Sequence, residues 1–286
     1  MENKINQILK ILPDNIKNVV CEAILSKKEI EEIRIKEDAP VIIYLADEEI
    51  TSKYIATKED IIKIISNITR DSLYAYLEEI KKGYITIEGG HRVGICGTAV
   101  YENEKLINIK DLSCINIRVA KEIKGVSNNI IKYIYDGIDI KNTLVISPPG
   151  EGKTTLIRDI TRALSENKNI KIAVIDERDE IASVYKGKAQ NDIGIRTFVL
   201  SGYSKKDGFM HSIRSLSPTV IVCDEIGSFD DVLSVKNAVN KGVKVITTIH
   251  GYSVSDISKK EEFKELINYF ECVITIRNHT YSVEKR

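Results

Sequence analysis

The sequence predicts a two-part chain, with an α/β half built on a parallel sheet at the C-terminus and a smaller α+β half before it. Three observations carry this reading. From Lys141 onward, short apolar runs alternate with stretches of helical period, the pattern of strands joined by crossover helices. The first of those runs, residues 143–146, feeds a loop rich in Gly and Pro that leads into a helical pattern. Before Lys141 the strand signals arrive in pairs around turn residues, with no such loop among them.

The elements follow in order. Residues 1–26 read as one or two amphipathic helices interrupted near Pro13. Residues 32–36 alternate through Ile33 and Ile35 as a strand, and 41–45 read as its partner with Pro40 at the turn. Residues 58–69 and 72–82 have helical periodicity. Residues 84–87, a Gly89-Gly90 turn and residues 92–100 form a hairpin pattern, and 114–120 add a strand. The polar stretch 125–140 is expected as a linker between an α+β N-terminal domain, 1–124, and an α/β C-terminal domain, 141–286. Within the latter, strands are expected at 143–147, 170–176, 219–224 and 243–249, and helices at 154–165, 205–216, 229–241 and 255–270. Residues 272–276 and 281–283 close the chain as a hairpin.

Composition narrows the classes. Hydrophobic residues make up 43% of 286, enough for a sizeable core. Lys+Arg and Asp+Glu balance at 42 each, so no net field attracts nucleic acid, and no nucleic-acid partner is expected. Cys21, Cys96, Cys114, Cys223 and Cys272 are scattered with no C-x-x-C spacing, the pattern of reduced thiols rather than zinc ligands or a disulfide framework. The start, Met-Glu-Asn-Lys, reads as no secretion signal, and no apolar run approaches ~18 residues. A cytoplasmic location is expected, with any membrane attachment peripheral and through partners.

Ser147-Pro148-Pro149-Gly150-Glu151-Gly152-Lys153-Thr154 fits the phosphate-binding loop of P-loop NTPases, G-x-x-x-x-G-K-[ST], except that serine stands at the first glycine. Such a loop cradles a triphosphate on backbone N–H groups. Lys153 reaches the β/γ-phosphates, the Thr154 hydroxyl holds Mg²⁺, and the helix N-terminus at Thr154-Thr155 adds its dipole. If position 147 requires φ > 0, serine costs on the order of 1 kcal/mol there. Glu151 places an acid beside polyphosphate, so its side chain must turn away. Hydrolysis needs a metal-positioning acid and a group that orients water. The apolar run 220–223 ends in Asp224 and Glu225, suited to Mg²⁺ and to the attacking water respectively. A second strand end is acidic at Asp176, Glu177, Asp179 and Glu180, and a third carries His250, placed to sense the γ-phosphate. Arg92 and Arg118 in the first half are candidate sources of transition-state charge.

Taken together these motifs resemble the stage III sporulation protein AA family. The resemblance rests on residues 83–97, Asn116-Ile117-Arg118, the phosphate loop through Asp159, 174–181, 190–194, 213–218, Asp224-Glu225-Ile226-Gly227 and Thr248-Ile249-His250-Gly251. That family is similar to the ATPases of type II and type IV secretion and pilus machines. The resemblance implies a RecA-like P-loop domain of the secretion-ATPase type, a hexameric homo-oligomer, ATP and Mg²⁺ as ligands, and membrane proteins of a mother cell–forespore channel as partners. It also implies that Glu177 or Glu180 competes with Glu225 as catalytic base, that His250 belongs to a histidine box, and that Arg92 and Arg118 are offered to the nucleotide. Residues 197–206 depart from the family pattern. A nucleic-acid-dependent ATPase and a nucleotide-gated scaffold with little hydrolysis are the alternative readings.

Overall fold

Pro13 cannot continue a helix with its fixed φ, and it stands at the N-cap of the second of two short helices, α1 (Glu2–Leu9) and α2 (Asp14–Ile24). The computed structural model that contains them describes residues 2–286 except Asp71 and Lys82, and only the backbone of Glu2, Asn3, Leu73 and Tyr74. The chain divides into two compact units. Residues Met1–Lys121 with Tyr185–Gln190 form one, and Glu122–Val184 with Asn191–Arg286 form the other.

The first unit is an antiparallel sheet covered on one face. Strands β1 (Ile30–Lys36), β2 (Ala39–Leu45) and β3 (Glu49–Ala56) are followed by α3 (Lys58–Thr69), a 3₁₀ turn at Leu73–Tyr76 and α4 (Leu77–Lys81). Then come β4 (Tyr84–Thr86), β5 (Arg92–Glu102) and β6 (Lys105–Arg118), giving the order β3-β2-β1-β6-β5-β4. Alternation puts Ile33, Ile35, Val41, Ile43, Val93, Ile95, Ile115 and Ile117 on the buried face, where they share a core with Ile8, Ile16, Ile61 and Ile64 of the helices. Helix α3 starts at a Thr57–Asp60 capping box. The helix expected over 72–82 is a 3₁₀ turn followed by α4, and Lys82 lies outside the described residues.

Three expectations change. Strand β3 is an edge strand whose side chains mostly face water, so its sequence carries no hydrophobic run. Pro40 lies inside β2 beside a register irregularity, and the turn is made by Glu37 and Asp38, with φ of 58° at Asp38. Strands β5 and β6 extend to meet at Asn103-Glu104, a two-residue turn with both φ values positive but no glycine to announce it.

His91, fully buried, ties this unit together. Its Nδ1 accepts the Ala120 N–H at 3.0 Å, which leaves Nε2–H to donate to the Lys4 carbonyl at 3.0 Å. Burial pushes its pKa down to about 4. The folded value lies below the ordinary one near 6.5, so the unfolded chain takes up the proton first. Stability is therefore complete above pH ~6.5 and is lost as pH falls toward 4, by roughly 3 kcal/mol from this group. Urea titrations across that window should show the slope in wild type and a flatter one in His91→Gln.

The second unit is a parallel sheet with helices on both faces. After α5 (Ile131–Ile134) come β7 (Thr143–Ser147), α6 (Lys153–Ser165) and β8 (Ile172–Asp176). The chain then forms a separate two-stranded ribbon, β9 (Val184–Tyr185) and β10 (Lys188–Ala189), which from Tyr185 to Gln190 belongs to the first unit, before β11 (Thr197–Ser201) returns to the parallel sheet. They are followed by α7 (Lys205–Ser215), β12 (Val220–Cys223), α8 (Phe229–Asn240), β13 (Lys244–His250), α9 (Val254–Ser258), β14 (Cys272–Arg277) and β15 (Thr280–Lys285). The order is β11-β8-β12-β13-β7-β14-β15, parallel throughout except for the β14–β15 hairpin. Strands β7, β8 and β12 are buried at every residue, which is why they read as continuous apolar runs. Side chains split alternately between two cores, one holding Leu144, Ile175, Cys223 and Phe209, the other Val145, Val174, Val222 and Leu156.

Residues 125–140, expected as a linker, contain α5, and Ile130, Ile134 and Ile140 are buried in the second of those cores. Strand β11 lies where no strand is expected. The helix expected over 255–270 is α9 followed by 3₁₀ turns at Glu261–Phe263 and Leu266–Tyr269.

Candidate functional site

The carboxyl edge of the parallel sheet gathers the chemistry of the second unit. Strand β7 ends at Ser147, and Pro148-Pro149 cannot extend its ladder. Gly150 and Gly152 hold φ of 81° and 90°, left-handed values that glycine takes without strain and that curl the loop into α6. Ser147 is not among the residues with positive φ, so serine carries no backbone strain there; it is buried, and its hydroxyl donates to the Pro148 carbonyl at 2.8 Å.

Helix α6 starts unlike its neighbours. Helices α3, α7, α8 and α9 each have a Ser or Thr N-cap that accepts a backbone N–H. Helix α6 starts at Gly152, with no side-chain cap and no acid in its first turn, which holds Lys153, Thr154 and Thr155. Its first N–H groups are left for an anion.

Lys153 is 8% exposed, and burial lowers its pKa against the pull of Asp224, Glu225 and Glu180. Its Nζ lies 2.8 Å from Nδ1 of His250, the last residue of β13. The same Nζ lies 3.3 Å from Nε2 of His250, and that Nε2 stands 3.4 Å from Oε1 of Glu225. The Thr154 hydroxyl donates to Asp224 Oδ2 at 2.8 Å. Thr248 donates to Asp224 Oδ1 at 2.5 Å, and its own hydroxyl oxygen accepts the Glu225 N–H at 2.9 Å. Glu225 has a φ of 33°, an unusual value for glutamate. That conformation is braced by the Thr248 bond and by a bond from Ile226 N–H to the Thr248 carbonyl.

The acidic turn after β8 is adjacent, because β8 pairs with β12. Its four acids do different things. Asp176 is buried and accepts the N–H groups of Glu180, Ile181 and Ala182, so it builds the turn rather than facing a ligand. Burial raises its pKa, against those three bonds. Asp179 accepts from Ser201 at 2.5 Å. Glu177 is paired with Lys205 Nζ at 2.7 Å. Burial lowers the pKa of Lys205, but the Glu177 bond and nearby acids win and raise it overall. Glu177, Glu180, Lys205, Asp224 and Glu225 line one cleft. Arg178 Nη1 stands 3.4 Å from Glu225 Oε2.

Thus the phosphate loop, Asp224, Glu225, His250, Glu177 and Glu180 sit on neighbouring strand ends. Thr248, Arg178 and Lys205 were not foreseen; for Thr248 the signal was there in Thr247-Thr248-Ile249-His250. Glu151 turns away from the loop's interior, and Oε2 accepts the His279 N–H at 3.0 Å. Arg92 and Arg118 belong to the first unit, directly opposite each other on β5 and β6. Arg92 stacks over Tyr84 at 4.9 Å, and Arg118 lies 3.5 Å from Glu32.

The donors fit Mg²⁺, a hard cation that takes hydroxyl and carboxylate oxygens along with phosphate and water. Among the described residues no cluster of three or more His, Cys, Asp or Glu is placed to hold a metal ion. No helix among them is long and apolar enough to cross a membrane.

Comparison with known proteins places these features. The family described as "Sporulation stage III, protein AA" matches residues 2–282. Stage III sporulation protein AA of Bacillus subtilis (strain 168) is 39% identical over 266 residues, covering 91% of this chain and 86% of that protein. Protein SEEDLING PLASTID DEVELOPMENT 1 of Arabidopsis thaliana is 31% identical over 175 residues, 60% of this chain but 24% of that protein. Among solved structures, the Legionella pneumophila ATPase DotB superposes with a TM-score of 0.62 at 16% identity, over 95% of this chain and 79% of that one. The pilus retraction motor PilT with bound ADP gives 0.65 at 16%, over 93% and 80%. At that identity they show the fold, the P-loop NTPase fold of secretion and pilus ATPases.

Proposed function

Because the chain belongs to the sporulation stage III protein AA family and has the fold of secretion ATPases, we propose that it is a Mg²⁺-dependent ATPase. We further infer that it works as a hexameric motor for a sporulation-specific, secretion-like membrane complex. The observation that carries the reading is the convergence of Lys153, Thr154, Asp224, Glu225 and His250 at one sheet edge, with Thr154 and Asp224 hydrogen-bonded at 2.8 Å.

In this reading the N–H groups of Gly150, Gly152 and Lys153 and the first turn of α6 hold the triphosphate. Lys153 leaves His250 for the β/γ-phosphates. Thr154 and Asp224 are the residues that would hold Mg²⁺, which when bound would supply neutralising charge to the phosphate oxygens. Glu225 takes the proton of the attacking water. His250, released from Lys153, donates toward the γ-phosphate. Arg92 and Arg118 supply transition-state charge, and Glu177, neutralised by Lys205, serves the geometry of the cleft. The membrane partners and the oligomer are part of the proposal, supported by membership of the family.

Phosphate release by the purified protein tests the enzyme. Lys153→Ala should lower it by about 10²-fold, the usual cost of one preorganised donor to the transition state. Equal rates for the two proteins would leave a nucleotide-gated scaffold or another ligand.

A further inference from the structure

An acid within a phosphate loop is electrostatically unfavourable for a triphosphate, so Glu151 needs another reason to be there. Its carboxylate accepts the backbone N–H of His279 at 3.0 Å, and its side chain is 23% exposed. His279 lies at the tip of the β14–β15 hairpin, where Asn278 and His279 adopt φ of 47° and 56° between the paired residues Arg277 and Thr280. The same tip has a second hold. Arg277 donates Nε–H and Nη2–H to the Tyr252 carbonyl at 3.1 and 2.8 Å, two residues beyond His250. Gly251 N–H in turn reaches the Ser147 carbonyl at 3.3 Å. One hairpin tip thus touches the apex of the phosphate loop and the segment leaving the histidine strand, and β14 runs parallel to β7 beneath both.

We propose that this tip anchors the phosphate loop, with Glu151 as the positioning residue. The bond to His279 draws the Glu151 side chain out of the loop's interior and fixes the backbone between Gly150 and Gly152, leaving the N–H groups aimed inward. The loop's affinity for a triphosphate then depends on an acceptor at position 151, and its negative charge is the cost of that acceptor. The affinity part of this proposal rests on the nucleotide reading above; the anchor does not.

Glu151→Ala and Glu151→Gln separate the two properties. Both remove the charge, and only glutamine keeps an acceptor. The measurements are affinity for a fluorescent ATP analogue with Mg²⁺, with kcat and KM for ATP, and amide hydrogen exchange of the nucleotide-free protein. The anchor predicts that alanine binds about tenfold more weakly than glutamine, the loss seen in KM more than in kcat. It also predicts that the His279 amide and the amides of residues 150–153 exchange faster in Glu151→Ala and keep wild-type protection in Glu151→Gln. His279→Gly, which keeps the N–H and favours the same backbone, should retain protection of residues 150–153. Equal affinity of the two position-151 variants with unchanged exchange would overturn the anchor. If neither wild type nor variants bind the nucleotide, the exchange result still decides the anchor, and the ATPase reading fails separately.

Discussion

Glu225→Gln is expected to bind ATP and Mg²⁺ as wild type does and to turn over about 10³-fold more slowly, within the range for loss of a general base. The substitution is nearly isosteric. It leaves the backbone bonds that hold the 33° φ intact, since these come from the Glu225 and Ile226 N–H groups rather than the side chain. What it removes is the capacity to take a proton. Glu225 is suited to that task because its two oxygens face His250 and Arg178, each at 3.4 Å, so its carboxylate is oriented without a tight ion pair. Glu177 lies on the same cleft but is neutralised at 2.7 Å by Lys205, whose side chain is 12% exposed. A base in that state would have to break a partly buried pair before each turnover. Steady-state phosphate release and equilibrium nucleotide binding on the same preparation check the prediction. Unchanged turnover would move the base to Glu180 or to Glu177.

The difference between those two glutamates was invisible in the sequence, for a physical reason. Adjacent acids at a strand end look alike until the residue that pairs with one of them is known, and Lys205 lies 28 residues from Glu177 at the start of α7. The same limit hid the role of Asp176. Its position at the end of an all-apolar strand was legible, but the three N–H groups that surround it come from the turn after it, whose path no periodicity records. Strands buried on both faces were legible because a run such as Ile172–Asp176 has no other use in a globular chain. Strand β11 was not, because it sits at the sheet edge with Phe198 65% exposed and is bounded by polar residues. Periodicity also misled over 255–270. The buried residues there are Ile257, Phe263, Leu266, Ile267 and Phe270, and the turn between Ile257 and Phe263 is Lys and Glu, so one apolar stripe cannot run the whole length.

Arg92→Ala and Arg118→Ala are expected to lower kcat strongly, by up to the 10³–10⁵-fold associated with an arginine that acts on the transition state, with a much smaller change in ATP affinity. The reason to expect this lies in the sheet itself. The two arginines stand directly opposite on β5 and β6, and like charges in that relation disfavour the pair. Glu32, 3.5 Å from Arg118 and also bonded to Arg34, offsets part of the repulsion, and the Tyr84 ring offsets more beneath Arg92. A purely structural pair would leave activity alone and would gain stability when one charge is removed. A catalytic pair should differ in activity, with thermal stability equal or slightly higher but turnover sharply lower. Lysine at either position keeps the charge but loses the planar fork, so it should restore little of the rate if both N–H groups of a fork are used. Thermal melts and kcat and KM for the four single variants therefore separate the two roles. A rise in melting temperature with wild-type kcat in both alanine variants would make Arg92 and Arg118 solvated residues of the sheet surface.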